Sequence, residues 1–190
     1  ERFVDHDKES LDMFLESTKD FADRELFPYI KEMDEKPAYH KDGKVFVHSQ
    51  VETMMKKGGE LGFISAPFDY NIGGMQIPLM AHTAATYILD AANNHLPGYA
   101  GLTQGAAELI IHFASKDLLE TFVPNMLSGK WGGTMCLTEP QAGSSLSDIV
   151  TKAKPTQNGY YNISGQKIFI SGGDNQFAEN IVHLVLARVE

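Results

Sequence analysis

The residues of this chain best suited to chemistry lie between Trp131 and Asp148, in the stretch WGGTMCLTEPQAGSSLSD. The uncharged run Trp131 to Leu137 is typical of a buried strand, and Thr138-Glu139-Pro140 ends it. Pro140 fixes its own φ and biases Glu139 towards an extended conformation. The small residues that follow leave backbone N–H groups uncovered by bulky side chains. Such groups can donate hydrogen bonds to phosphate or carbonyl oxygens.

Hydroxyl groups widen the range of ligands that this loop could hold. Thr138, Ser144 and Ser145 can each donate and accept a hydrogen bond. Together with free backbone donors, they suit a phosphate group or a flat cofactor with polar edges. An ordinary surface turn is the alternative, because turn residues cluster for many reasons.

Metal and thiol chemistry are not indicated. No two of the seven histidines are four residues apart, and there is one cysteine, so we expect no metal site. Cys136 lies in an apolar run and is interpreted as a buried, inert thiol rather than a nucleophile. His82 lies in a nearly uncharged helical segment and is interpreted as a buried, hydrogen-bonded histidine.

The elements that must position the loop change character where it begins. Upstream, the spacing of apolar residues predicts five helices, at 8–33, 49–61, 78–94, 101–114 and 116–127. Downstream, apolar runs and turn signals predict about five strands, at 131–137, 148–155, 160–164, 166–171 and 181–189. The chain therefore predicts an α+β fold: an N-terminal helical bundle domain, 1–130, followed by an incomplete antiparallel β domain, 131–190. The loop lies at their junction, where ligand sites are common.

Bulk properties exclude several classes of protein. The net charge is −9 and the basic residues are scattered, which argues against nucleic-acid binding. Residues 1–20 are charged throughout, so we expect no signal peptide. The longest uncharged stretch is interrupted by polar residues and glycines, so we expect no membrane span. Together these expectations favour a cytoplasmic protein. Neither Glu1 nor Glu190 resembles a natural terminus, so we expect an internal piece of a longer protein.

Two linked motifs of this sequence resemble the acyl-CoA dehydrogenase family. The first is the family's T-E-P-x-A-G-S loop, here Thr138 to Ser144. The second is G-x-K-x-[WFY]-[IV]-[ST]-[NG], here Gly165 to Gly172, in the expected order and at the expected separation. The helical stretch LTQGAAELIIHFASKDLLETFVPNMLSGKW is also similar, so the resemblance extends from about Leu11 to the end. The sequences of the two motifs are most similar to those of the larger branch of the family that includes 3-methylmercaptopropionyl-CoA dehydrogenase.

The resemblance implies a flavoenzyme of fatty acid metabolism that oxidises the Cα–Cβ bond of an acyl-CoA to the 2-enoyl-CoA, with hydride transfer to FAD. It implies that Leu137 and Thr138 meet the pyrimidine edge of the isoalloxazine, Phe169 flanks the flavin, Ser171 bonds near N5, and Ser144 contacts the acyl-CoA. The full set of residues implied to bind the cofactor is Met135, Cys136, Leu137, Thr138, Gly143, Ser144, Phe169, Ile170 and Ser171.

Some positions depart from the family pattern. Ser145 replaces the Asp that usually follows G-S, so the hydrogen bonds within the loop are expected to differ from those of the family. Met135 and Phe169 replace the commoner Tyr and Trp. No residue matches the family's catalytic glutamate, which belongs to a later helical domain. Glu139 is not that base and is expected to fix the loop through hydrogen bonds. We therefore predict that these 190 residues alone have no dehydrogenase activity.

The resemblance also implies partners, and it leaves alternatives open. Expected partners are an acyl-CoA substrate, electron-transfer flavoprotein as electron acceptor, and further copies of the same chain in a homo-oligomer. The acyl group is expected to lie against the third and fourth predicted helices, 78–94 and 101–114, around Pro97 to Gly105. The alternatives are an acyl-CoA oxidase, which passes electrons to oxygen, and a non-catalytic helical interaction module.

Overall fold

The computed structural model describes residues 2–190, which form six α-helices followed by most of the strands. The helices are α1 (Lys8–Phe21), α2 (Ile30–Glu35), α3 (Gln50–Glu60), α4 (Leu79–Asn93), α5 (Pro97–Phe113) and α6 (Lys116–Leu127). The strands are β1 (Tyr39–Lys41), β2 (Lys44–Phe46), β3 (Trp131–Cys136), β4 (Lys152–Pro155), β5 (Tyr161–Ser164), β6 (Asn180–Val185) and β7 (Arg188–Val189). None of the helices within these residues is long and apolar enough to cross a membrane.

The first predicted helix is longer and less regular than its apolar spacing suggested. After α1 the chain continues through a π-helical segment, Ala22–Leu26, and a 3₁₀ turn, Phe27–Tyr29, into α2. Pro28 lies in the 3₁₀ turn, where its missing N–H removes a donor from the helical ladder. The proline thus lies at the join between the two helices.

One helical boundary and one connecting segment also differ from expectation. Helix α5 begins at Pro97, four residues before the predicted start, because proline at the first helical position sacrifices only an N–H that has no partner there. The segment 34–46, between the first two predicted helices, contains an antiparallel hairpin, β1–β2. Asp42 and Gly43 form its turn with positive φ angles of 51° and 78°.

The α+β order is confirmed, but the strands are only partly antiparallel. β4 pairs with β5 antiparallel, whereas β3 pairs with β6, and β4 with β7, in parallel. The long excursion between β3 and β6 returns the chain to the start of β3, so that the second strand runs in the same direction. The predicted strand at 166–171 is not regular, and the predicted strand at 181–189 is interrupted after Val185.

The helical and β parts pack through α5 and β3. Gly133 of β3 lies so close to α5 that its N–H donates to the Thr103 hydroxyl at 3.0 Å. Ala106 of α5 and Met126 of α6 pack against the same glycine. A single apolar core runs through the helices to this contact. The start of β3, and with it the loop that follows, is therefore fixed on a rigid helical support.

Candidate functional site

The loop after β3 closes into a tight turn at Glu139. The Glu139 N–H donates to the Ala142 carbonyl at 2.8 Å, and the Ala142 N–H donates back to the Glu139 carbonyl at 3.1 Å. Pro140 and Gln141 lie at the tip of this turn and are exposed. Gly143 and Ser144 follow the turn and face solvent.

The side chain of Glu139 points inwards and is the hub of the loop. Its carboxylate accepts from the Val150 N–H at 2.7 Å, the Thr151 N–H at 3.1 Å, the Gln141 amide at 2.7 Å and the Lys167 ammonium at 2.8 Å. Burial alone would raise the pKa of this carboxyl, but the bonds from Lys167 and the two backbone amides outweigh burial and hold its pKa far below the usual range. The expected structural role of Glu139 is confirmed.

The second motif passes directly alongside the first. The Ile168 N–H donates to the Thr138 carbonyl at 2.9 Å, and Lys167 Nζ donates to the Leu137 carbonyl at 2.8 Å. Phe169 comes next in the chain, 87% exposed and with a φ of +56°. An exposed phenylalanine in the left-handed region gains nothing for the fold in return for its strain, which is typical of a functional position.

Two neighbouring amides beside this contact have no protein partner. Within residues 2–190, the N–H groups of Leu137 and Thr138 donate to no backbone or side-chain acceptor. Met135, two residues before Leu137, is 39% exposed although it lies in β3, the strand that packs against α5. The site thus offers adjacent free donors, an apolar side chain and an aromatic ring.

The structure brings only part of the predicted set together. Leu137 and Thr138 lie beside the segment that contains Phe169, Ile170 and Ser171, while Gly143 and Ser144 follow the turn at Glu139 and are exposed. Ser145, at the departure from the family pattern, donates its hydroxyl to Asp148 at 2.8 Å, and residues Leu146–Asp148 form a 3₁₀ turn. The loop therefore retains a local hydrogen-bonded structure without the usual aspartate.

Cys136 is buried, as expected of an inert thiol. Its Sγ lies 3.7 Å from the Thr134 hydroxyl, which is itself 2.7 Å from His183 Nδ1 on the paired strand. The Cys136 carbonyl accepts from the Leu186 N–H at 3.1 Å. His82 is half-buried, with Nε2 3.2 Å from the Gln104 amide, and burial lowers its pKa.

Residues that sequence reasoning missed hold the loop from outside. Arg188 Nε donates to the Ile149 carbonyl at 2.7 Å, and its Nη2 donates to the Ser147 carbonyl. Lys167 holds the other end, as described above. The sequence did carry a signal for both residues: each is the one cation in an otherwise uncharged run, Lys167 in GQKIFIS and Arg188 in VLARV. A charge that is buried among apolar residues needs a partner.

A narrow cleft opens where the two parts of the chain meet. Tyr99, Leu102 and Thr103 of α5 form one wall, and Gly172 and Phe177, which follow the second motif, form another. α3 completes the cleft with Val51 and Met55. The cleft includes part of the stretch from Pro97 to Gly105, although it faces α3 and not α4.

Comparison with known proteins gives one consistent result. The family described as "Acyl-CoA dehydrogenase, N-terminal domain" matches residues 8–130. The chain is similar to butyryl-CoA dehydrogenase of Syntrophomonas wolfei, with 46% identity over 60% of this chain and 19% of that protein. It is similar to 3-methylmercaptopropionyl-CoA dehydrogenase of Ruegeria pomeroyi, with 36% identity over 92% of this chain and 30% of that protein.

A solved structure agrees with the fold. It is an acyl-CoA dehydrogenase from Bacillus anthracis complexed with FAD, with a TM-score of 0.79 and 21% identity over 98% of this chain and 30% of that chain. The present chain spans between 19% and 30% of the length of the two curated relatives above.

Proposed function

Because the chain belongs to the acyl-CoA dehydrogenase family, we propose that it is a piece of a flavin-dependent acyl-CoA dehydrogenase that contains the first helical domain and the start of the β domain. That enzyme would oxidise the Cα–Cβ bond of an acyl-CoA to the 2-enoyl-CoA. The much greater length of the relatives supports a longer protein, in which 1–130 form a helical domain and 131–190 begin the β domain. FAD, when bound, supplies the hydride acceptor.

The observation that supports this proposal most directly is the pair of free amides at Leu137 and Thr138 beside the strained, exposed Phe169. A flat cofactor with polar edges needs both kinds of contact: hydrogen-bond donors at its edge and an apolar or aromatic surface against its face. The residues present therefore fit FAD. We assign the cofactor site to Met135, Cys136, Leu137, Thr138, Gly143, Ser144, Phe169, Ile170 and Ser171.

The roles proposed for these residues are those that the resemblance to the family implies, and the chemistry of each residue suits its role. The amides of Leu137 and Thr138 donate to the pyrimidine edge, and the hydroxyls of Thr138 and Ser171 add donors near the ring. Fixed donors need no reorganisation when negative charge develops in front of them, which is electrostatic preorganisation. Cys136 contributes through its backbone, because its thiol is buried. Ser144, exposed beyond the turn, contacts the acyl-CoA.

The acyl group is proposed to lie against α5 between Pro97 and Gly105. Gly101 and Gly105 are exposed, and a Cβ added at either would meet no atom within 4 Å. Such a surface admits a close approach by a chain of methylene groups. Electron-transfer flavoprotein as electron acceptor, and assembly into a homo-oligomer, belong to the same proposal.

The test uses the full-length protein that contains this chain. The purified protein should show the visible absorbance of a bound flavin, and anaerobic addition of acyl-CoA thioesters should bleach it. The thioester that bleaches fastest identifies the substrate class, and oxygen consumption with peroxide formation would instead indicate an oxidase. A colourless protein that cannot be reconstituted with FAD would overturn the proposal.

The isolated chain provides a control for the same experiment. None of its residues matches the family's catalytic glutamate, so we expect the pure 190-residue chain to turn over no acyl-CoA. Robust turnover by that chain would contradict the assignment of the base to a later part of the protein.

A further inference from the structure

Lys167 is a lysine in an unusual place. Its side chain is 11% exposed, and its ammonium lies 2.8 Å from the Glu139 carboxylate and 2.8 Å from the Leu137 carbonyl oxygen. Burying a cation is costly unless it is paired and hydrogen-bonded. The ion pair with Glu139 meets that need. The bond to a backbone carbonyl is additional, and it falls on the peptide that precedes Thr138.

The bond to the Leu137 carbonyl determines where the Thr138 amide points. No cis peptide occurs in residues 2–190, and in a trans peptide the C=O and the following N–H point in opposite directions. With the Leu137 carbonyl held by Lys167, the Thr138 N–H is turned away from the ion pair. The next carbonyl, that of Thr138, is held by the Ile168 N–H at 2.9 Å. Bonds on both sides thus prevent the Thr138 amide from turning.

The same bond also strengthens the amide as a donor. A hydrogen bond from an ammonium is charge-assisted, and it polarises the peptide that accepts it. Chains of hydrogen bonds reinforce one another in this way in a poorly solvated environment. Glu139 balances the charge of Lys167, so the effect at Thr138 comes from orientation and polarisation and not from a net positive field.

We propose that Lys167 is a positioning residue of the cofactor site: it holds the Leu137 carbonyl and so presents the Thr138 amide, oriented and polarised, to the bound flavin. The inference rests on the proposed function for the identity of the ligand. The orientation of the amide is a property of this chain alone. The two parts can therefore be tested separately.

The first experiment uses the 190-residue chain labelled with ¹³C and ¹⁵N and requires no cofactor. Lys167→Met should shift the ¹³C resonance of the Leu137 carbonyl upfield and move the amide resonance of Thr138, because the carbonyl loses its donor. Lys154→Met, which removes an exposed lysine from β4, should move neither. An unchanged Leu137 carbonyl in Lys167→Met would overturn the proposal.

The second experiment measures the midpoint potential of FAD in the full-length protein. Lys167→Met should lower the equilibrium constant for two-electron reduction by about tenfold, equivalent to about 30 mV. Lys154→Met should leave the potential unchanged. A potential in Lys167→Met equal to that of the wild type would overturn the proposal.

A double variant separates the hold on the carbonyl from the charge of Glu139. Lys167→Met leaves a buried carboxylate without its partner, which could itself disfavour reduction or prevent folding. Lys167→Met with Glu139→Gln has no unpaired charge and still lacks the bond to Leu137. A lowered potential in the double variant supports the proposal, and a return to the wild-type value overturns it. A full-length protein that binds no FAD refutes the proposed function, and the carbonyl resonance then decides the role of Lys167.

Discussion

The carboxylate of Glu139 accepts hydrogen bonds from four donors: two backbone amides, one side-chain amide and one ammonium group. Glu139 is part of the motif that resembles a flavin-binding loop, yet its side chain is buried and bonded to other groups of the protein. Its type and position in the sequence indicated a structural role. The number of its bonds and the identity of Lys167 as its partner could not be read from the sequence, because the two residues are 28 positions apart.

The buried carboxylate should make the stability of the chain depend on pH. The pKa of Glu139 is depressed in the folded state, so its contribution is complete above the unfolded pKa of about 4.3 and is lost as the pH falls further. We expect Glu139→Gln to be less stable than the wild type at pH 7 and to lose less stability between about pH 5 and pH 3. Urea unfolding midpoints across this range measure both effects.

Glu60 provides a matched control for that measurement. It is an exposed glutamate at the end of α3. Glu60→Gln removes the same charge without removing a buried hub, so its loss of stability with falling pH should parallel that of the wild type. If Glu139→Gln also paralleled the wild type, the hydrogen bonds to the carboxylate would contribute nothing to folding.

Phe169 should show a cost to the fold that is separate from its use in the site. At a φ of +56° a side chain with a Cβ is strained by about 1 kcal/mol, and asparagine tolerates this region better than most residues. Phe169→Asn and Phe169→Ala both remove an exposed ring, so we expect the Asn variant to be more stable by about 1 kcal/mol. Thermal or urea unfolding of the chain measures this difference.

The same two variants test the ring. Both should weaken FAD retention in the full-length protein to a similar extent, because both lack the aromatic surface. Equal stability of the two variants would show that residue 169 is not held in the left-handed region. Full FAD retention by both would remove Phe169 from the proposed site.

At the scale of elements, regular helices were predictable and irregular segments were not. Helices α3, α4 and α6 follow apolar spacing and lie within a residue or two of the predicted bounds. The stretch 166–171 alternates like a strand but forms no ladder, because Lys167 and Ile168 bond to the loop after β3 instead of to a neighbouring strand. Such a long-range competition leaves no local signal.

Two glycines of α5 should prove unfavourable for the helix itself. Gly101 and Gly105 lie in the helix interior on an exposed face, with open space around the position of a Cβ. Replacing either with Ala should stabilise the chain by about 0.5–1 kcal/mol, because glycine loses more backbone entropy on folding. Urea unfolding tests this. A loss of stability would mean that the face is packed in solution.

The full-length protein gives the opposite expectation for these glycines. If the acyl group lies against α5, the added methyl of Gly105→Ala should weaken acyl-CoA binding while the fold becomes more stable. Titration of the bound flavin spectrum with acyl-CoA measures the affinity. Unchanged affinity would move the acyl site away from this face.

At the scale of the whole molecule, the site depends on how the strands are docked on the helices. The sequence placed a junction at Trp131, but the contact itself is decided by one residue, Gly133. A Cβ there would lie 2.7 Å from the Ala106 Cβ, 2.8 Å from the Met126 Cε and 3.0 Å from the Thr103 Cα. Nothing in the run WGGTMC distinguishes this glycine from its neighbour, because the face of a strand that meets a helix depends on packing.

Gly132 and Gly133 therefore form a matched pair for testing the junction. Gly133→Ala should destabilise the chain by about 1–3 kcal/mol, because α5 must move away from β3 and the bond from Gly133 to Thr103 is lost. Gly132→Ala should change stability by less than about 0.5 kcal/mol, since its Cβ would make only an ordinary contact with Ile181 at 3.5 Å. Urea unfolding of both variants measures the difference.

Because the loop at Thr138 follows directly from this strand, we expect Gly133→Ala also to shift the Leu137 carbonyl resonance, whereas Gly132→Ala should leave it in place. Equal effects of the two substitutions would show that the helices and the strands are not docked through this residue.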